Sequence, residues 1–278
     1  MKKGDRWRGV VGLPRGDTLA SGLAVVALAL LAGFISLPLI SLLLWTVSEE
    51  SWRAMAAPEA RDDLLLSIRT TFISMLVIVL VGTPAAYVLA RASFPGKRVL
   101  DTLIDLPAVL PPSAAGIALL LAFGRLGLVG QYLHALGITI SFTTAAVVIA
   151  EVFVAAHFYV RQAAVGFARV RRDVEEAAMV DGAGRFSVFF RVTVPLAAPA
   201  LIAGAVMAWA RALGEFGGTI IFAGSFRGVT QTVPLAIFAA LESNFDAAVA
   251  LSVLVLGFAF TVLIVARLLL RRAAEYDE

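Results

Sequence analysis

The chain has 278 residues, 60% of them hydrophobic and 15% charged, against roughly 45–50% and about 25% in an average soluble domain. This composition excludes a water-soluble globule, and the absence of cysteine excludes disulfides, thiolate metal sites and cysteine nucleophiles. A net charge of +3 and a pI near 9.6 would suggest nucleic acid in a soluble protein, but here the basic residues have first to be placed relative to a bilayer.

A crossing needs about 20 apolar residues to match a hydrocarbon core roughly 30 Å thick, and six stretches qualify in chain order. Behind a basic tail, residues 1–18, comes the first span at 19–47. It is too long for a signal-peptide core and lacks a cleavage site, so it is retained. The others are 64–90, 106–123, 143–164, 195–223 and 247–270. The third is the weakest, because Pro107, Pro111 and Pro112 crowd its start. Proline lacks an N–H and breaks the helical ladder, so either a kink within the span or a plain loop-to-helix start fits.

Most of the 23 Lys and Arg fall in four places: Lys2, Lys3, Arg6, Arg8 and Arg15 of the tail, the 91–98 loop, the 161–191 segment, and the end from Arg267. The loops at 48–63, 124–142 and 224–246 are mostly acidic or neutral. The positive-inside rule makes the basic side cytoplasmic. An even number of spans then puts both termini, including a short tail at 271–278, in the cytoplasm. The expected architecture is an all-α integral membrane protein of six transmembrane helices with no sizeable extramembrane domain. The basic pI reads as topology and not as nucleic-acid binding.

The long polar stretch between the fourth and fifth spans, about 165–194, is the most informative. Apolar Val174, Ala177, Ala178, Phe186, Phe189 and Phe190 alternate with Arg171, Arg172, Asp173, Glu175, Glu176, Arg185 and Arg191. On composition alone, an amphipathic helix lying on anionic lipid accounts for it. The spacing says more: Glu176-Ala177-Ala178, then Gly182, then Val194-Pro195. This pattern resembles the EAA loop of ABC-importer permeases at all five anchor positions. Small Ala and Gly side chains let a short helix seat closely in a partner's groove, and Gly182 supplies a turn that few other residues tolerate. Pro195 is then expected where the next span starts.

An ATP-driven reading needs a motor, and GxxxxGK[ST] is absent. The only Gly-Lys pair is Gly96-Lys97, with Arg91 where the first glycine belongs. ATP and Mg would therefore be held by a partner subunit, with no cofactor in this chain.

The resemblance narrows in the fifth span and the loop after it. Ala210 to Thr219, then Phe222-Ala223-Gly224, then Thr230 to Ile237, together with Phe94 to Arg98, Asp105-Leu106-Pro107, Leu110-Pro111-Pro112 and Gly116, look like molybdate-type permeases. Sulfate permeases share much of this pattern, so molybdate, tungstate and sulfate all stay open. Ser225 stands where that family commonly has Asn, and His157 where a Pro is usual. The resemblance implies residues 19–270 as one permease domain, two copies around a central path, two ATPase subunits below and an extracytoplasmic oxyanion-binding protein above. It also implies transport across the inner membrane by alternating access.

Within the apolar fifth span, Arg211 and Glu215 are four residues apart. Ionisable residues at membrane depth face a bundle interior or an aqueous path. Two readings stand: a pair that locks the helix to its neighbour, or a translocation path or gate built from Arg211, Gly214, Glu215, Gly217, Gly218 and Thr219. An unpaired carboxylate would repel an oxyanion, so Glu215 reads as the partner of Arg211 or as part of a gate. Glu151, deep in the fourth span, reads as paired with a basic or hydroxyl group in preference to a proton relay. His134 and His157, the only histidines, read as packed residues and not as ligands. Neither HExxH nor GxSxG is present, which leaves enzyme readings behind. A secondary transporter or channel using Glu151, Arg211 and Glu215 is the rival from another class.

Overall fold

The computed structural model describes residues 18–46 and 49–275. The basic amino-terminal tail and residues 276–278 of the expected carboxyl-terminal tail lie outside the described residues. Among the described residues the regular structure is entirely helical. Helix α1 covers Thr18–Trp45, α2 Glu49–Met55, α3 Pro58–Arg91, α4 Lys97–Val109, α5 Pro112–Phe123, α6 Gly130–Ala135 and α7 Thr144–Arg169. Then come α8 Arg172–Val180, α9 Arg185–Val188, a π-helical turn at Phe189–Thr193, α10 Val194–Leu213, α11 Gly217–Phe222, α12 Val233–Leu241 and α13 Phe245–Glu275.

Among the described residues, five helices are long and apolar enough to cross a bilayer, and a bent pair makes a sixth if counted as one span. Two of the expected spans differ in shape. The third is not one straight helix: α4 and α5 meet at 119°. Leu110 closes α4 with its N–H on the Leu106 carbonyl at 3.0 Å. Pro111 is extended (ψ 138°) and Pro112 opens α5, as expected where a residue before proline is pushed out of the helical region. With 12 residues, α5 is about 18 Å long at the α-helical rise, short of the hydrocarbon thickness.

The fifth span is also displaced. It runs from Arg185 through the π-turn to Leu213, not from 195 to 223. Pro195 therefore lies inside the span, two residues past the π-turn. Pro195 has no N–H, and its ring would clash with the carbonyl four residues back. The backbone widens just before it, with the Val194 N–H reaching the Phe189 carbonyl five residues back. At the other end the helix stops at Leu213, because Gly214, Gly217 and Gly218 give little side-chain support to a continued coil.

The bundle is built around α7, which packs against α3 and α10 and buries Tyr159 and Phe167 fully. Tyr87 of α3 meets Phe167 edge-on at 5.5 Å. The Tyr159 hydroxyl and Thr83 of α3 are 2.6 Å apart. Arg161 of α7 holds α4 by two bonds to the Asp105 carboxylate, at 2.6 and 2.7 Å, and by bonds to the Asp101 carboxylate at 2.9 Å and carbonyl at 2.6 Å. By contrast, α1 presents exposed Leu28, Phe34, Leu37 and Leu44, an apolar surface suited to lipid or a second chain.

Short helix α11 lies against α5 at glycines. A Cβ on Gly116 would stand 2.8 Å from the Gly218 carbonyl oxygen, and one on Gly217 would stand 2.4 Å from Pro112 Cβ. Gly116→Val should therefore cost about 1–3 kcal/mol through overpacking and lower the unfolding temperature in detergent. Gly33→Val in α1, where nothing lies within 4 Å, should leave that temperature unchanged.

Candidate functional site

The docking segment predicted from the EAA pattern folds as an exposed helix. Asp173 and Glu175 occupy the first turn of α8, where carboxylates complement the positive end of the helix dipole. Arg171 pairs with Asp173 through two bonds, its Nε reaching Oδ1 at 3.0 Å. That guanidinium holds the Asp173 carboxyl below its ordinary range. At the other end, the Ala183 N–H reaches the Ala178 carbonyl and the Gly182 N–H the Met179 carbonyl, both at 3.0 Å. These two bonds, with Gly182 left-handed at φ +92°, form a Schellman cap. No residue of α8 is buried, and Glu176 and Ala177 are exposed. Nothing lies within 4 Å of a Cβ placed on Gly182, so a substitution there strains the backbone and projects into open space.

The residue that ties α8 to the bundle is Glu175, one place before the predicted Glu176. Its Oε1 accepts from Arg91 at 3.1 Å and from the Thr193 hydroxyl at 2.7 Å. Arg91 also donates to the Val170 carbonyl at 2.8 Å. The two charged side chains are only 14% and 13% exposed. Sequence alone does not single out this pair, because 84 residues separate its members and Glu175 by itself is one charge of an amphipathic face.

Farther into the bundle lies a layer of buried polar groups. Glu151 is 3% exposed, and its oxygens accept from Thr70 at 2.8 Å and Ser74 at 2.7 Å. These hydroxyls, on one face of α3, are the cross-bundle partners foreseen for Glu151. Ser67, one turn earlier, accepts the Val233 N–H at 2.7 Å, fastening the start of α12.

Arg211 and Glu215 meet at 2.6 Å, although Glu215 lies beyond the end of α10 and not on its face. The chain turns back there, with the Glu215 N–H on the Ala212 carbonyl at 3.0 Å. The second carboxylate oxygen accepts the Gly218 N–H at 2.7 Å. Glu215 is thus bound on both oxygens and 3% exposed, whereas the Arg211 side chain keeps 30% of its surface. Gly217, Gly218 and Thr219 belong to α11, so this part of the expected path is a separate short helix packed on α5. The Thr219 hydroxyl is fully buried and lacks a hydrogen-bond partner.

The remaining singled-out residues lie apart. His134 approaches Thr139 at 3.2 Å on an exposed turn. His157 is buried against Phe158, ring centres 3.9 Å apart. Ser225 accepts from Gln231 at 3.2 Å.

Residues 78–275 match the family described as "Binding-protein-dependent transport system inner membrane component". The chain belongs to this family. Among relatives of this inner membrane component, the molybdenum transport system permease protein ModB of Mycobacterium tuberculosis is 45% identical over 231 residues, 83% of this chain and 88% of that protein. The putative molybdenum transport system permease protein YvgM of Bacillus subtilis is 42% identical over 192 residues, 69% and 85% of the two chains. The fold is that of a bacterial ABC transporter involved in importing the acidic polysaccharide alginate, with TM-score 0.73 at 15% identity over 91% of this chain and 95% of that one.

The Glu151 triad gives a direct test. Thr70→Val or Ser74→Ala leaves one buried carboxylate oxygen without its donor, and each should lower the unfolding free energy in micelles by about 1 kcal/mol. Thr261→Val, which removes an exposed hydroxyl bonded only to its own helix, should change nothing.

Proposed function

We propose that this chain is the transmembrane subunit of an ATP-driven importer that carries molybdate across the inner membrane. One observation carries the reading: an exposed helix bearing Glu176, Ala177 and Ala178 and closed by Gly182, on a chain 45% identical to a molybdenum permease. The segment 165–194 is the coupling element of a single permease domain at 19–270, and it seats in a separate ATPase subunit that holds ATP and Mg. The basic end of the bundle faces the cytoplasm, which places both termini there. The opposite end receives the anion from an extracytoplasmic binding protein, and a second copy of the chain completes the path.

Nucleotide-driven movement of the two α8 segments passes into the fifth spans through the π-turn and Pro195, opening the path alternately to each side. Arg211, at the broken end of α10, is the path residue suited to an oxyanion. Glu215 turns both of its oxygens to protein donors, which keeps its negative charge out of the anion's way. Gly214, Gly217, Gly218 and Thr219 form the hinge and short helix beside it. Anchored hydroxyls on Glu151 suit a structural carboxyl better than a relay, which weighs against an autonomous secondary transporter.

The reading is tested by the molybdenum content of cells with and without the chain, grown on trace molybdate under excess sulfate. Molybdenum should fall on deletion and be restored by the wild-type chain but not by Gly182→Trp, whose indole blocks the docking face. Co-purification of the ATPase with Gly182→Trp at wild-type yield would refute the docking assignment. Unchanged molybdenum with reduced sulfate uptake would move the substrate to sulfate.

A further inference from the structure

Three elements converge on Glu175. It sits on α8, its charge partner Arg91 is in the last turn of α3, and its hydroxyl partner Thr193 is in the π-turn of the fifth span. The covalent routes from the docking helix lead forward to the fifth span, through Gly182, and back to α7, through Val170 and Arg171. The Arg91 contact adds a non-covalent route, into α3, and α3 reaches the far end of the bundle. Along the way it supplies Ser74 and Thr70 to Glu151, and then Ser67 to the Val233 N–H. A push on α8 carried by the chain alone, into the fifth span and α7, would shear both against α3.

We propose that Glu175 is a positioning residue that locks α8 to both α3 and the fifth span, so that the coupling helix moves the two spans as one unit. This rests on the importer reading above. Two features support a working joint over a plain surface ion pair. First, the pair is largely shielded, so solvent screening does not reduce it to the small value of an exposed bridge. Second, the joint is incomplete: the Arg91 Nε is buried without an acceptor, while Glu175 uses the single oxygen Oε1 for both partners. A small displacement of α8 that brings Oε2 to Nε would convert the one-point contact into a two-point fork, the stronger arrangement for arginine and carboxylate. Such a displacement would give the joint a second setting, and a docked motor could then select between the two. The π-turn beside it can absorb a change in helical pitch without breaking the span.

The test uses the full complex of permease, ATPase and binding protein in proteoliposomes, and reads molybdate transported per ATP hydrolysed, per assembled complex. Glu175→Gln keeps the shape and can still accept from Thr193 but lacks the charge; Thr193→Val keeps the ion pair and removes the hydroxyl. Each should lower the transport-to-hydrolysis ratio by about fivefold, the lower range of coupling between sites. Arg91→Gln combined with Glu175→Gln should be no worse than either alone, as expected of groups acting through one contact. A merely structural role would reduce assembled complex or unfolding temperature and leave the ratio intact, and that result would overturn the proposal. So would fully additive losses in the double variant. If the wild-type complex hydrolyses ATP without accumulating anion, the importer reading falls and takes this proposal with it; a normal wild-type ratio matched by Glu175→Gln removes the proposal alone.

Discussion

A carboxylate inside a bilayer must be given donors, because hydrocarbon offers none and the cost of an unpaired charge exceeds that of any single packing defect. Glu151 meets this demand by drawing in Thr70 and Ser74, and in doing so it sets the register of α3 against α7. Once those two helices are in register, Tyr159 can meet Thr83, Phe167 can meet Tyr87, and Arg91 comes level with the docking helix. Hydrophobic burial cannot set this register, since lipid is as apolar as the helix surfaces. Directional bonds between buried polar groups can.

The same economy governs the other charged groups. Arg161 binds two aspartates of α4, which keeps the first half of a sharply bent hairpin against the bundle. Glu215 accepts from Arg211 and from the Gly218 backbone, so the break after α10 is capped from within. Backbone irregularity at membrane depth is tolerated only where protein or water satisfies the freed groups. The two breaks, at Pro111–Pro112 and at Gly214–Phe216, are brought together by the close contact of α5 with α11. One broken element covers the other, and glycines at 116, 217 and 218 allow the approach.

The two faces of α8 separate along the same lines. One carries Glu176 to the surface, while the other, through Glu175, is bonded to Arg91 and Thr193 of the bundle. Adjacent glutamates thus have different surroundings: Glu176 faces outward and Glu175 inward. Helical geometry places neighbours about 100° apart around the axis, so two acids in a row cannot share one environment.

Much was legible in the chain itself. Uninterrupted apolar runs announce helices in a bilayer whatever they pack against. The turn at Gly182 needs a left-handed residue and so was visible as a glycine at fixed spacing from Glu176. The prolines at 107, 111 and 112 announced a disruption but not its angle, because lost N–H groups permit a kink and neighbouring helices decide how far it bends. The start of the fifth span was misplaced by ten residues. Its first turns, with Arg185 and Arg191, are polar enough to read as loop, but Phe189 packs against Tyr87 and Phe167 and ties them to the bundle. Tertiary structure alone decided that Glu151 meets Thr70 and Ser74, Glu175 meets Arg91 and Arg161 meets Asp105, since each of these bonds joins residues 56 to 84 positions apart, and nothing in local sequence encodes which distant donor a buried charge will meet.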